Sequence, residues 1–174
     1  MQLHDLVFTS YISKNQIDEQ VAKLATQIDL DFEKEEIYFV AVLNGSFIFA
    51  ADLLKEIKTP SYINFIRVFS YQGVNSEGKV NEVMGLNESL KGKNVVIVED
   101  IIDTGLTIQY IHQSILAHQP KTIKIASLLL KKDVYKGSLP IDYVGFEIEN
   151  KFVVGYGLDY NGLGRNIPEI LIKK

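Results

Sequence analysis

The run Val95-Val96-Ile97-Val98-Glu99-Asp100-Ile101-Ile102-Asp103-Thr104-Gly105-Leu106-Thr107 decides the fold. Its opening apolar, β-branched residues suit a strand buried on both faces, so Asn94 to Glu99 reads as such a strand. Thr104 to His118 reads as the helix that follows. Between the two stand three carboxylates and a Thr-Gly-Leu-Thr turn. In open α/β sheets ligands bind beyond the carboxyl ends of the strands, which is where this segment points. The first amides of a helix lack internal partners and sit at the positive end of its dipole. The backbone of Thr104 to Thr107, with the Thr104 and Thr107 hydroxyls, is therefore expected to hold a phosphate without help from a lysine. Gly105 is expected to let the backbone approach the ligand closely.

Three acids beside a phosphate cradle need compensation, because like charges repel. Vicinal ribose hydroxyls would donate to Glu99, Asp100 and Asp103, and magnesium bridging ribose and pyrophosphate oxygens would supply the rest. The plainer alternative ends a strand with Glu99 and Asp100 and caps a helix with Asp103. Two threonines around Gly105 in the same turn argue for the ligand.

Working outward, Ser13 to Gln16 has the form of a capping box. Ile17, Val21, Leu24, Ala25 and Ile28 follow at helical spacing to about Leu30. Ile37 to Leu43 reads as a buried strand and, after Asn44-Gly45, Phe47 to Ile57 as a helix. Tyr62 to Phe69, Thr122 to Leu130, Ile141 to Glu147 and Phe152 to Tyr156 are further strand candidates. Ser70 to Met84, with Gly73 and Gly78, reads as a polar, flexible stretch. Strands alternating with helices predict an α/β fold with a largely parallel central sheet flanked by helices. At 174 residues, 47% hydrophobic and 23% charged, the chain suits a single globular domain over residues 1–174.

The formal net charge of -4 offers no broad basic surface for nucleic acid or an anionic membrane, so neither is expected as a partner. The absence of cysteine removes thiolate chemistry and Cys-based zinc sites. MQLHDLVFTS lacks a basic segment followed by an apolar run, so no signal peptide is expected. The uncharged stretch Ile37 to Ala51 is too short to span a bilayer, and a cytoplasmic location is expected. No P-loop pattern occurs, and neither Gly155-Tyr156-Gly157 nor Gly162-Leu163-Gly164 completes a dinucleotide fingerprint. His4, His112 and His118 show no metal-ligand spacing.

Val98-Glu99-Asp100-Ile101-Ile102-Asp103-Thr104-Gly105 resembles the phosphoribosyl-pyrophosphate motif of type I phosphoribosyltransferases, in its hypoxanthine-guanine branch. The likeness extends over roughly residues 37 to 165 in four further segments. Leu43-Asn44-Gly45-Ser46 is placed like the family's pyrophosphate loop, where a non-proline cis peptide would fall at Leu43-Asn44. Many members carry lysine or arginine where Asn44 brings no charge. Arg67, then Ser70-Tyr71, stand where the family opens a flexible lid loop over pyrophosphate. Lys131 matches the lysine that donates to a purine 6-oxo group, and Lys132 stands beside it as the alternative. In Phe152-Val153-Val154-Gly155-Tyr156-Gly157-Leu158-Asp159, the match implies Phe152 stacking on the purine and the Val153 backbone meeting the base edge. It also implies a magnesium ligand at Asp159, with Arg165 meeting pyrophosphate.

The resemblance thus implies a type I phosphoribosyltransferase fold with a small hood, and metal sites at Glu99, Asp100 and Asp159. Glu99, Asp100, Asp103, Thr104, Gly105, Leu106 and Thr107 would hold the phosphoribosyl group, with Asp103 as the catalytic base. Leu43, Asn44, Gly45, Arg67, Ser70, Tyr71 and Arg165 would hold pyrophosphate. The implied substrates are phosphoribosyl pyrophosphate and hypoxanthine or guanine joined at N9, in a homodimer or homotetramer. A transferase for xanthine, adenine or a pyrimidine would keep the ribose-phosphate motif and change the base pocket. A regulator that senses the same sugar phosphate while binding nucleic acid would need a basic face, against 18 basic and 22 acidic residues.

Overall fold

The computed structural model describes residues 1–33, 35–70, 80–84 and 89–174. Near the N-terminus stand β1 (Gln2–Leu3) and β2 (Leu6–Ile12), then α1 (Lys14–Phe32), β3 (Ile37–Leu43), α2 (Phe47–Glu56) and β4 (Ser61–Ser70). After these come β5 (Val80–Met84), β6 (Asn94–Ile102), α3 (Leu106–Leu116) and β7 (Thr122–Leu130). The chain closes with β8 (Tyr143–Glu147), β9 (Val153–Val154) and β10 (Ile170–Lys173).

The fold is α/β. Six strands form one sheet in the order β5-β4-β3-β6-β7-β8. All neighbours pair parallel except β5, which runs antiparallel to the end of β4 from Arg67 to Ser70. β3, β6 and β7 are near-continuous apolar runs because both of their faces are covered. One core layer joins the sheet to α1 and α2 through Ile17, Leu24, Phe39, Phe49 and Val98. The other joins it to α3 through Val95, Ile97, Ile108 and Ile111. Each of these fully buried side chains contributes roughly 1.5–3 kcal/mol.

The capping box at α1 is formed: Ser13 N donates to Gln16 Oε1 at 3.0 Å, and Gln16 N to Ser13 Oγ at 3.4 Å. A second, antiparallel sheet, β1-β2-β10-β9, makes the small hood. It ties the two ends of the chain together around Phe8, Val154, Ile167 and Leu171. Ser10 Oγ donates to Glu169 Oε2 at 2.6 Å across this sheet.

Several boundaries differ from the sequence reading. β6 continues through Ile102, three residues past Glu99, so Asp100 lies inside the strand rather than beyond it. α3 starts at Leu106 with Gly105 as its N-cap, leaving Thr104 in the preceding turn. The stretch read as loop to Met84 contains β5, whose alternation is masked by Asn81 and Glu82. Phe152 to Tyr156 contributes only Val153–Val154 to a strand, because Gly155 at φ 101° turns the chain away. β1, β2 and β10 escaped the sequence reading: they are short or half-exposed, and β2 pairs with β10 across almost the whole chain. Residues 71–79 and 85–88, where the lid loop was expected, lie outside the described residues. Among the described residues no helix is long and apolar enough to cross a membrane.

Candidate active site

The carboxyl ends of β3, β6 and β7 meet at one edge of the parallel sheet, and the hood stands over that edge. The peptide bond between Leu43 and Asn44 is cis, as the resemblance implied. Behind it, buried Ser46 donates its hydroxyl to Val42 O at 2.7 Å and fixes the turn into α2. Asn44 is exposed. Gly45 packs against Asp100 so tightly that a β-carbon would lie 1.6 Å from Asp100 Oδ2. Only glycine brings this loop onto the carboxylate.

Glu99 and Asp100 are 7% and 8% exposed. Glu99 Oε2 is buried and has no hydrogen-bond donor. Burial, and then the neighbouring Asp100 charge, hold the Glu99 carboxyl well above its ordinary value. Burial also raises Asp100, opposed in part by the Ile101 amide, which donates to Oδ1 at 2.9 Å, and by the Arg165 charge. A buried acid oxygen without a partner is costly unless a ligand satisfies it. Only oxygen donors are available here, which suits a hard divalent cation or sugar hydroxyls. Among the described residues no three acids or histidines cluster as a metal cage. A cation would therefore take most of its ligands from substrate oxygens and water, the usual manner of magnesium.

A shallow cavity of about 90 Å³ is lined by Glu99 and by 101–108. No side chain caps α3, so the amides at its start face this cavity unpartnered by the protein. Gly105 has φ 91°, and a β-carbon there would meet the Tyr135 ring at 2.4 Å. Its glycine is thus demanded by the turn and by Tyr135 behind it, not by the ligand side as expected. Thr104, Leu106 and Thr107 are exposed around the mouth.

A second cavity of about 330 Å³ adjoins the first, sharing Ile101 and Asp103. Asp103, Lys131, Phe152, Val153, Asp159 and Arg165 all line it. Lys131 is buried, and its ammonium donates to Asp103 Oδ2 at 2.7 Å and to Asn150 Oδ1 at 3.3 Å. Lys132 is exposed and pairs with Glu147 at 2.9 Å, so of the two lysines only Lys131 lines this cavity. Phe152 is half-exposed at the cavity wall, and Val153 is buried in β9 beside it. Asp159 accepts from Arg165 Nη2 at 2.6 Å and from the Gly162 amide at 2.7 Å. Arg165 Nη1 donates to Gly157 O at 2.6 Å, and a β-carbon on Gly157 would lie 2.0 Å from Gly45 O. Hood and pyrophosphate-loop backbones are therefore in direct contact.

Arg67 ends the part of β4 that pairs with β3, opposite Leu43. Ser70 closes β4, and Tyr71 lies outside the described residues. The sequence reading missed Asn150, Lys151 and Leu158, which complete the second cavity or its ion-pair network. Only their closeness to Phe152 and Asp159 in the chain signalled them.

The cleft thus has open helix amides on one side and a donor, an acceptor and an aromatic ring on the other. The phosphoribosyl transferase domain model matches residues 11–161, and the chain belongs to that family. It is 40% identical to the hypoxanthine-guanine phosphoribosyltransferase of Aquifex aeolicus over 91% of this chain and 90% of the relative. Its fold superposes on the crystal structure of a hypoxanthine-guanine phosphoribosyltransferase from Bacillus anthracis with a TM-score of 0.91. That pair is 43% identical and covers 97% of this chain and 99% of the other. In Listeria innocua a bifunctional protein TilS/HprT is 38% identical over 99% of this chain, which spans 27% of that longer relative.

Proposed function

We propose that the chain is a purine-salvage enzyme that transfers the phosphoribosyl group of phosphoribosyl pyrophosphate to N9 of hypoxanthine or guanine. The observation that carries this reading is the Lys131–Asp103 pair, 2.7 Å apart, lining the base cavity beside the open N-terminus of α3. An ammonium has donors only, so Lys131 suits a 6-oxo group and rejects the 6-amino group of adenine. Asp103, an acceptor when ionised, stands beside it to receive the proton from purine N7. Phe152 offers its half-exposed ring as a stacking surface.

In the reaction, a bond forms between purine N9 and ribose C1′ as the bond from C1′ to the pyrophosphate oxygen breaks. Pyrophosphate leaves with the electron pair, and the N7 proton passes to Asp103. Positive charge grows on the ribose ring meanwhile, so the carboxylates of Glu99 and Asp100 below it favour the transition state. The amides of Leu106 and Thr107, with the Thr104 and Thr107 hydroxyls, fix the 5′-phosphate. Leu43, Asn44 and Gly45 present backbone groups to pyrophosphate, and Arg165 supplies the charge that Asn44 lacks. The proposed roles of Arg67, Ser70 and Tyr71 on pyrophosphate rest on family resemblance.

Glu99 and Asp100 would hold magnesium with substrate oxygens, and Asp159, which pairs with Arg165, would hold a second ion; magnesium held there would supply positive charge against the leaving diphosphate. The unsatisfied Glu99 Oε2 supports the first of these sites. A homodimer or homotetramer is part of the same reading and is checked by light scattering.

The test is nucleotide formation from hypoxanthine, guanine, xanthine and adenine, each with phosphoribosyl pyrophosphate, with and without magnesium. Turnover of hypoxanthine or guanine that vanishes without the metal is expected. Turnover confined to adenine would overturn the assignment of Lys131, and turnover confined to xanthine the choice of hypoxanthine or guanine.

A further inference from the structure

The ring proposed to stack on the base is braced by residues from the opposite end of the chain. Phe152 lies outside β9, and with 43% of its surface exposed it could not hold one orientation unaided. Its inner side rests on Phe8 of β2, ring centroids 6.1 Å apart, and on Tyr160, 5.6 Å apart at 82°. The second contact is the edge-to-face arrangement that aromatic quadrupoles favour.

Tyr160 is itself held on every side. Its hydroxyl donates to Asp5 Oδ1 at 2.7 Å, and the His4 ring meets it edge-on at 5.5 Å and 81°. Its backbone exchanges two hydrogen bonds with Leu163, at 2.9 and 3.1 Å, across a turn with left-handed Asn161 and Gly162. Phe8 packs 6.5 Å from it. The turn between β1 and β2 thus meets Tyr160, and Tyr160 meets Phe152.

We propose that Tyr160, locked by Asp5 and His4, is a positioning residue that sets the plane in which Phe152 stacks on the purine. This rests on the purine-stacking reading of Phe152 given above. A ring fixed before the base arrives loses little freedom on binding, so the brace acts on base affinity and leaves the phosphoribosyl half alone.

Steady-state kinetics of Tyr160→Leu, Tyr160→Phe and Phe152→Leu test this. Tyr160→Leu is expected to raise KM for hypoxanthine and guanine roughly 2- to 12-fold, the value of one edge-to-face pair. Its kcat and its KM for phosphoribosyl pyrophosphate stay at wild-type values. Tyr160→Phe, which keeps the ring but loses the bond to Asp5, recovers most of the purine KM and retains a smaller rise. An unchanged purine KM in Tyr160→Leu, or an equal rise for both substrates, overturns the proposal. If Phe152→Leu also leaves purine KM unchanged in an active enzyme, the stacking reading itself fails. A rise in Phe152→Leu alone sinks only the role of Tyr160. Should Tyr160→Leu not fold, Asp5→Ala at the surface must raise purine KM selectively, by a smaller factor, or the proposal falls.

Discussion

On the floor of the cleft, Glu99, Asp100, Asp103 and the start of α3 come from one unbroken run, 99–107. In the hood, Asp159 and Arg165 hold each other, whereas Phe152 rests on Phe8 and on Tyr160, which His4 and Asp5 hold from the other end of the chain. The floor is rigid because parallel strands buried on both faces leave it nowhere to move. The hood is a small antiparallel sheet with its own cluster of four buried residues, joined to the main core through Ile12, Val153, Tyr156 and Ile170. Gly157 lies against Gly45, and the Tyr156 hydroxyl donates to Asp52 Oδ2 at 2.6 Å. The difference teaches that charge is placed by local chain geometry, whereas the surface that selects the base is placed by long-range pairing.

The strongest way to break this division is at Asp103. Asp103→Asn keeps the shape and an acceptor for Lys131 while removing the base. It is expected to lower kcat about 10²–10⁴-fold with no change in substrate KM order. A variant with most of its kcat and an intact melting curve would remove Asp103 from the chemistry.

Lys131→Gln tests whether the floor also takes part in base choice. Hypoxanthine kcat/KM should fall roughly 10- to 100-fold, the value of a hydrogen bond to a charged group. Adenine turnover should not fall in parallel. A parallel loss would mean that Lys131 serves only to hold Asp103.

Glu99 sharpens the comparison through stability. Its folded-state pKa is raised by burial, so folding favours the protonated form. Without metal, stability should be highest below the ordinary carboxylate range and decline as pH rises toward the folded value. Glu99→Gln should flatten that decline, and magnesium with phosphoribosyl pyrophosphate should reverse it in the wild type only. Thermal melts across pH check both; a wild-type slope of opposite sign would show Glu99 charged in the free protein.

The smallest effect is expected at the seam between the two regions. Tyr156→Phe removes the bond to Asp52 and should cost roughly 0.5–1.5 kcal/mol of stability by urea denaturation. A loss confined to the hood would appear as hydrogen exchange rising in β9 and β10 before β6.

β3 and β7 were legible to the residue, since long apolar β-branched runs between polar turns admit one reading. The capping box located the start of α1 for a similar reason. The end of β6 was misplaced by three residues because Asp100 looks like a loop residue until its burial is seen. β2 and β10 were invisible: Thr9 and Ser10 break the alternation, and nothing near them in sequence announces a partner on the far side of the chain.

The sequence by itself determined the parallel sheet, the order of its elements and the acidic strand-to-helix turn. Each depends on periodicity or spacing within a dozen residues. Only the tertiary structure decided that Lys131, not Lys132, faces Asp103, and that Glu99 Oε2 is left without a donor. It alone decided, too, that the two chain ends pair behind Phe152. Those outcomes depend on which groups lose water together, and that is settled when distant segments pack.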